Sequence, residues 1–552
     1  MTTRLGNRFA LSHITSVAMA ETRLAGRAAP NLLRRLVPIV AWAVASVVLG
    51  IVLGFSAVIL PPMGSFGIVA VAGLVLLWVM PDLPLVSRGL IRRAFFVMLI
   101  VDLVVPFYYT VQFSGLPWIS ARRVVTFALI APFVVAVAAS SDVRRMIAER
   151  LRASPLIIVC AAGFLVMGLL SLITSLSAAE SMSGLVDAIL SWYVPFFAMI
   201  YIIKNNDDVV FILKIICVCA LVVTAAGVLE FRLEQNFFLK IFPPSMLGNL
   251  MANNPRLQDL LPGPEHFRNG HYRAESIFMT AISFSEFEVI VIPIGLFFAF
   301  HSKSLFDKVL GWTVAIAALV GIFASGSRGG YTGAIVSVPV FIGMWSIRTA
   351  IQRRASLAPA IVGAAGLILV GCVLGLIVFS HTIHDMILGG AAQASSTDAR
   401  YFQWQIALPY IKSNPITGYG FDVGGALVGQ GNLAYQSIDS YYLSLVLEVG
   451  VPGLFLFSGM LLLPILYGVR AYLSDMSEYG AMAGALACSF IGFAQSRLVV
   501  SQRENHTVIF ALLAIMIVAN YEHARRRAPQ GQEARAMRDR HYRAQTALPE
   551  GG

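Results

Sequence analysis

Apolar runs long enough to cross roughly 30 Å of hydrocarbon recur along the chain at about 37–60, 66–80, 94–112, 123–140, 155–176, 185–203, 209–229, 279–301, 309–325, 331–347, 359–380, 440–467, 481–498 and 506–522. The pattern predicts an all-α, polytopic integral membrane protein with about fourteen transmembrane helices. The count runs from twelve to fourteen, because several runs are short. The twelfth reads either as one span or as a re-entrant piece followed by a helix starting at Pro452. Polar breaks between runs are short except at 230–277 and 381–438, which are long for unstructured connections and so candidates for function. The chain divides into a basic tail over 1–36, a transmembrane domain over 37–524 and a second basic tail over 525–552.

Composition agrees with this outline. Of 552 residues, 58% are hydrophobic and only 12% charged, and the mean hydropathy is +0.77, which excludes an ordinary soluble domain. The first apolar run follows Arg4, Arg8, Arg23, Arg27, Arg34 and Arg35 and ends at Ile59-Leu-Pro-Pro-Met63, without the small-residue cleavage pattern of a signal peptide, so it is expected to be a retained span. With the N-terminus inside, 27 Lys/Arg fall on cytoplasmic segments and 12 on the opposite side, as the positive-inside rule requires. Both termini are therefore expected in the cytoplasm, and the loops 230–277 and 381–438 outside. The net charge of +11 belongs mainly to tails that set topology or meet anionic lipid, rather than to nucleic-acid binding. The five cysteines, at 160, 217, 219, 372 and 488, lie within predicted spans and imply no disulfide frame. Cys217 and Cys219 face different sides of a helix and, with no His nearby, form no metal site.

Candidate chemistry collects on the external side. His271-Tyr272-Arg273-Ala274-Glu275-Ser276-Ile277-Phe278 leads into the eighth span, and Ser325-Gly326-Ser327-Arg328-Gly329-Gly330 forms the next external turn. Its glycines permit positive φ, so an anion there would meet backbone N–H groups at a helix start as well as a guanidinium. Arg400, Trp404 and Ala407 or Pro409 are spaced to share one side of a helix, which the turn Pro415-Ile-Thr-Gly418-Tyr-Gly420 ends. Trp404 is placed either to stack on a sugar or to sit in the interfacial aromatic belt. Asp439-Ser440-Tyr441-Tyr442-Leu443 then precedes Glu448-Val449-Gly450. Asp439 reads equally as a proton acceptor and as a helix N-cap. Among polar residues within spans, Asp102, Asp187, Glu286 and Glu288 are costly and therefore suspects. Glu286 and Glu288 are placed to face the same cavity as Arg273 and Arg328, or to pair with an Arg. Arg122, Arg123, Arg497 and Arg503 border the outside as a candidate basic rim.

This order of residues resembles the O-antigen ligase and O-antigen polymerase (Wzy-like) superfamily of bacterial membrane glycosyltransferases. The resemblance rests on the Arg before the eighth span, the Ser-Arg-Gly turn, the Arg400 helix with its Pro-x-x-Gly-x-Gly turn, and the Tyr-Leu with a downstream Glu-x-Gly. Two departures stand out. Ser276 occupies a place where Gly is common, and Asp439-Ser440 replaces the His-Asn pair typical of ligases. The resemblance implies a GT-C-like, inverting, metal-independent enzyme of the inner membrane that needs no cofactor. It would join undecaprenyl-pyrophosphate-linked oligosaccharide repeats into exopolysaccharide or O-antigen, with a chain-length regulator (copolymerase) as partner. In this reading Arg273 and Arg328 hold the pyrophosphate, whose developing charge suits a planar, permanent cation, and Asp439 directs the acceptor hydroxyl. Arg400, Trp404, Gly418, Gly420, Tyr441 and Glu286 line the substrate cavity. The missing His favours polymerase over a ligase acting on lipid A-core or protein. A lipid-linked oligosaccharide flippase would have a similar span count, but two similar halves and short loops, which this chain lacks.

Overall fold

The computed structural model describes residues 86–111, 119–241, 266–268, 270–352, 391–428 and 438–525, with Gly263 and isolated positions between 73 and 82; side chains of 391–400, 425 and 426 are outside this description. The tails 1–36 and 526–552, the runs at 37–60 and 359–380, nearly all of 66–80, and Cys372 lie outside the described residues.

The described elements are almost entirely helical. They are α1 (Arg88–Val104), α2 (Ala121–Ala139), α3 (Ser141–Leu151), α4 (Pro155–Ser171), α5 (Ala178–Ala188), α6 (Val194–Ile202), α7 (Asn206–Leu233), α8 (Phe237–Ile241), α9 (Ala281–His301), α10 (Leu305–Ser325), α11 (Arg328–Gln352), α12 (Ala391–Ser413), α13 (Gly425–Val428), α14 (Tyr441–Ser474) and α15 (Glu478–Ser496). A final helix, α16, covers His506–Arg525. Two minimal antiparallel hairpins pair β1 (Thr110–Val111) with β2 (Ile119–Ser120), and β3 (Phe267–Arg268) with β4 (His271–Tyr272). Among the described residues, nine helical stretches are long and apolar enough to span a membrane, with α5 and α6 joined through Ile189–Tyr193 into one of them.

Residues 1–90 with 131–145 cluster as one unit, and residues 91–130 with 146–552 as another. In the first, the Ser141 backbone N–H donates to Asp82 Oδ1 at 2.7 Å. The second holds every candidate residue named above that the structure describes.

The run predicted as a span at 94–112 is shifted. Helix α1 stops at Val104, ahead of Pro106, since the ring of a proline pushes the preceding residue out of helical geometry, and Thr110 has already entered β1. The other predicted spans that lie within the described residues match observed helices to within a few residues, apart from 185–203, whose helix begins at Ala178, and the twelfth.

Helix α9 is the centre of the second unit: its apolar window is 94% buried, against α10, α11 and α15. It approaches α10 backbone to backbone, because a Cβ at Gly311 would stand 2.4 Å from the Ala299 nitrogen. The twelfth run resolves into one long helix, α14, broken at Gly450, where φ is 73°. That left-handed conformation suits glycine alone, and a Cβ there would sit 2.1 Å from the Ile416 carbonyl oxygen. The break makes room for the turn that follows α12, since the Val451 N–H donates to the Pro415 carbonyl at 2.8 Å.

Candidate active site

Arg273 and Arg328 come from different segments and are brought together by backbone bonds. Helix α10 ends at Ser325 with Gly326 in the left-handed region at φ 56°, and α11 begins at Arg328. The Arg273 segment runs alongside this turn. Its Ala274 N–H donates to the Ala324 carbonyl at 3.0 Å, and Arg273 Nε donates to the Ser325 carbonyl at 3.3 Å. A Cβ on Gly326 would lie 3.3 Å from Arg273 Cγ, so this glycine serves the turn and leaves passage for the arginine. Burial is the largest influence on the Arg273 guanidinium and draws its pKa below the usual range; Glu275 opposes that shift, and the charge of Arg328 adds to it. Two mutually repelling cations at the start of a helix are an arrangement that favours a multiply charged anion between them. Close packing fixes the start of α11, for Gly330 lies so near Ser285 that a Cβ would meet that side chain at 2.6 Å.

The segment carrying Arg273 folds onto Glu230 in the last turn of α7. Tyr272 Oη donates to Glu230 Oε1 at 3.2 Å, the Glu275 N–H to the same oxygen at 3.0 Å, and the Ser276 N–H to Oε2 at 2.8 Å. Ser276 holds φ 56°, which accounts for glycine being the common residue at this place, and its hydroxyl donates to the Val223 carbonyl at 2.8 Å.

The Pro415–Gly420 turn is clamped from two sides. Tyr419 N–H donates to the Leu447 carbonyl at 2.7 Å and Gly420 N–H to that of Glu448 at 3.1 Å. On the other side, Thr174 Oγ1 donates to the Gly418 carbonyl at 2.8 Å and the Leu176 N–H to that of Tyr419 at 3.0 Å. Gly418 and Gly420, at φ 66° and 106°, are thus buried structural residues. A Cβ would strike Glu448 backbone carbon at 2.6 Å from the first and Ser175 Oγ at 2.3 Å from the second. Helix α12 precedes this turn as expected, but Trp404 and Ala407 do not share an environment. Ala407 is fully buried with Val428, Ile438, Leu443 and Leu447, whereas Trp404 is 47% exposed. The hundred-degree advance per residue carries Trp404 away from the buried face of Gln403 and Ala407. Arg400 belongs to α12, and its side chain lies outside the described residues.

At the start of α14 the N-cap is Ser440, whose side chain makes no capping bond. Asp439 stands one residue earlier, so the capping reading of Asp439 gives way, and its N–H donates to Gln403 Oε1 at 3.1 Å, tying this entry to α12. Tyr441, expected to line the substrate cavity, is fully buried. It packs against Phe457 and His506, and its N–H donates to the Arg497 carbonyl at 3.0 Å.

Glu286 does not join Arg273 and Arg328. It is buried in a two-point ion pair with Arg497, itself fully buried, and Asn505 Nδ2 donates to it at 2.8 Å. Glu288 instead accepts from Thr224 Oγ1 at 2.7 Å. Of the arginines expected as an outer rim, Arg497 and Arg503 are drawn inward, whereas Arg122 is half-buried near Asp102 and Arg123 is exposed. Arg503 bridges Glu448 and Asp422, the latter at 3.1 Å, and lies over the Phe421 ring at 4.4 Å. Glu448 also accepts from Ser444 Oγ and from the Asp422 N–H.

The connector 497–505 was legible only as two arginines of a basic rim, and its contacts with the other segments were not. Beyond the pairs just given, Glu504 accepts from the Met279 N–H at 2.9 Å, and Val499 lies 2.8 Å from where a Gly329 Cβ would stand. It therefore touches the segment after Arg273, the Arg328 turn and the start of α14. Its signal in the sequence was the density of polar residues, Gln502-Arg503-Glu504-Asn505-His506, between two apolar runs. Glu230 was missed for a simpler reason: it falls one residue beyond the predicted end of its span.

No curated protein matches the chain. Residues 313–458 match the family model described as Wzy_C, O-antigen ligase. That segment contains Arg328, Arg400, Trp404, Gly418, Gly420, Asp439, Tyr441 and Glu448 and leaves Arg273, Glu286 and the 497–505 connector outside it. Over this segment, and on that match alone, the chain is similar to the O-antigen ligase family.

Proposed function

We propose that the protein polymerises undecaprenyl-pyrophosphate-linked oligosaccharide repeats into exopolysaccharide or O-antigen at the outer face of the bacterial inner membrane. The observation that carries this reading is the convergence of Arg273 and Arg328 at the start of α11. The donor pyrophosphate lies between the two guanidinium groups, and its lipid enters sideways from the bilayer. The acceptor hydroxyl oxygen bonds to the anomeric carbon from the face opposite the leaving group, inverting that centre. The bond from that carbon to the pyrophosphate oxygen breaks with its electron pair, and the arginines stabilise the charge that develops there. Asp439 takes the hydroxyl proton and passes it to solvent. With two cations on the leaving group and no DxD motif in the external segments, the reaction is assigned as metal-independent. The loops 230–277 and 381–438 face outward and both termini inward.

Polymerase is favoured over ligase by the Asp439-Ser440 pair in place of His-Asn. Purified protein in nanodiscs, given only a lipid-pyrophosphate oligosaccharide, is expected to produce a ladder of products growing by one repeat. Product that forms only when lipid A-core is added would make the protein a ligase.

Asp439→Asn is expected to lower turnover about 10²- to 10⁴-fold, the range lost with a general base, while donor binding and thermal unfolding stay near the parent's. Full turnover in this variant would remove Asp439 from the chemistry.

A further inference from the structure

Among the described residues, the segment on either side of Arg273 holds only the two-residue strands β3 and β4 before α9, and its placement depends on a buried carboxyl group. Glu230 is fully buried. Such a group in the last turn of a membrane helix costs stability unless its oxygens are bonded. Three hydrogen bonds to those oxygens come from one short segment, Tyr272 to Ser276, on both sides of Arg273. The same segment is held in a left-handed conformation at Ser276, unfavourable for a residue with a Cβ and sustained by the bond from its N–H to Glu230. On the other side of Arg273, its own N–H donates to the His266 carbonyl at 2.8 Å. With the Ala274 bond to Ala324, these contacts leave the backbone at Arg273 little freedom.

We infer that Glu230 is the positioning residue for Arg273, presenting that guanidinium to the lipid pyrophosphate beside Arg328. The inference rests on the proposed role of Arg273 in donor binding. A carboxyl group offers two acceptor oxygens, whereas an amide at the same place would turn an NH₂ group toward a backbone donor. A purely structural role would lower stability without depending on Arg273, so the test is a double-mutant cycle.

Binding of fluorescent polyprenyl pyrophosphate is measured on the full chain in nanodiscs for the parent, Glu230→Gln, Arg273→Ala and the double variant, with thermal unfolding alongside. Glu230→Gln is expected to weaken binding about tenfold in the parent and by less than about twofold in the Arg273→Ala background. Equal weakening in both backgrounds, or a lowered unfolding temperature with unchanged affinity, overturns the inference and leaves the donor site standing. Parent-like affinity in Arg273→Ala overturns the donor-site reading itself. Should Glu230→Gln fail to fold, Tyr272→Phe, which removes one of the three bonds, carries the same cycle with an expected weakening of about threefold.

Discussion

Arg328→Ala is expected to reduce polymer formation about 10²- to 10³-fold, the scale on which a lost donor to a developing anion is felt, while leaving membrane abundance near that of the parent. Arg328 is the first residue of α11, where unsatisfied backbone N–H groups already favour an anion, and its charge acts on Arg273 across the turn. Removing one of two like charges relieves the repulsion between them. The largest loss is expected at the anion that needs both. Arg328→Lys keeps the charge but not the planar fork that matches phosphate, and is expected to recover less than about a tenth of the parent's turnover. Turnover of both variants with a lipid-pyrophosphate oligosaccharide, normalised to protein in the membrane, is the measurement. Parent-like output from Arg328→Ala would dismantle the proposed donor site.

The second large effect is on stability. Arg497→Ala should leave the Glu286 carboxyl buried opposite a gap, with Asn505 as its remaining hydrogen-bond partner. Breaking a buried pair from one side costs about 3–5 kcal/mol, and the unfolding temperature in detergent should fall accordingly. Arg497 also donates to the Gln502 carbonyl, and its own carbonyl accepts from Tyr441, so the variant should loosen the connector between α15 and α16 as well. The double replacement Glu286→Leu with Arg497→Met should recover most of that stability, because removing both charges also removes the cost of burying them. A double variant as unstable as Arg497→Ala would mean that the backbone contacts of the connector, rather than the charge pair, dominate.

Much of the architecture was legible in order along the chain. Helices that cross a bilayer must bond their own backbone and cover it with apolar side chains, so the rough limits of those the structure describes follow from local composition. The break in α14 was readable for a similar reason, since Val449-Gly450-Val451-Pro452 places a glycine and a proline where an apolar run continues. The Ser325–Gly330 turn was equally local. A glycine between two apolar runs followed by an arginine already describes a helix end and a helix start, and the structure adds only what lies beside them.

Pairing of charges was settled by tertiary structure alone. In sequence, Glu286, Arg497, Arg503 and Glu448 are separate polar residues near the ends of apolar runs, and each reads as equally able to face a cavity. Which of them is spent on its neighbour depends on how α9, α14 and α15 pack and on where the 497–505 connector lies, and those contacts join residues 211 positions apart for Glu286 and Arg497 and 55 apart for Glu448 and Arg503. A carboxylate and a guanidinium at such separation carry no mutual spacing signal, whereas burial in a low-dielectric interior makes their pairing obligatory. The sequence by itself therefore determined a helical membrane protein with an arginine in a glycine turn and an Asp directly ahead of the twelfth apolar run. Packing decided that Arg273 lies beside the turn of Arg328, that Glu286 is locked to Arg497, and that Glu230 accepts the hydrogen bonds of the Tyr272–Ser276 segment.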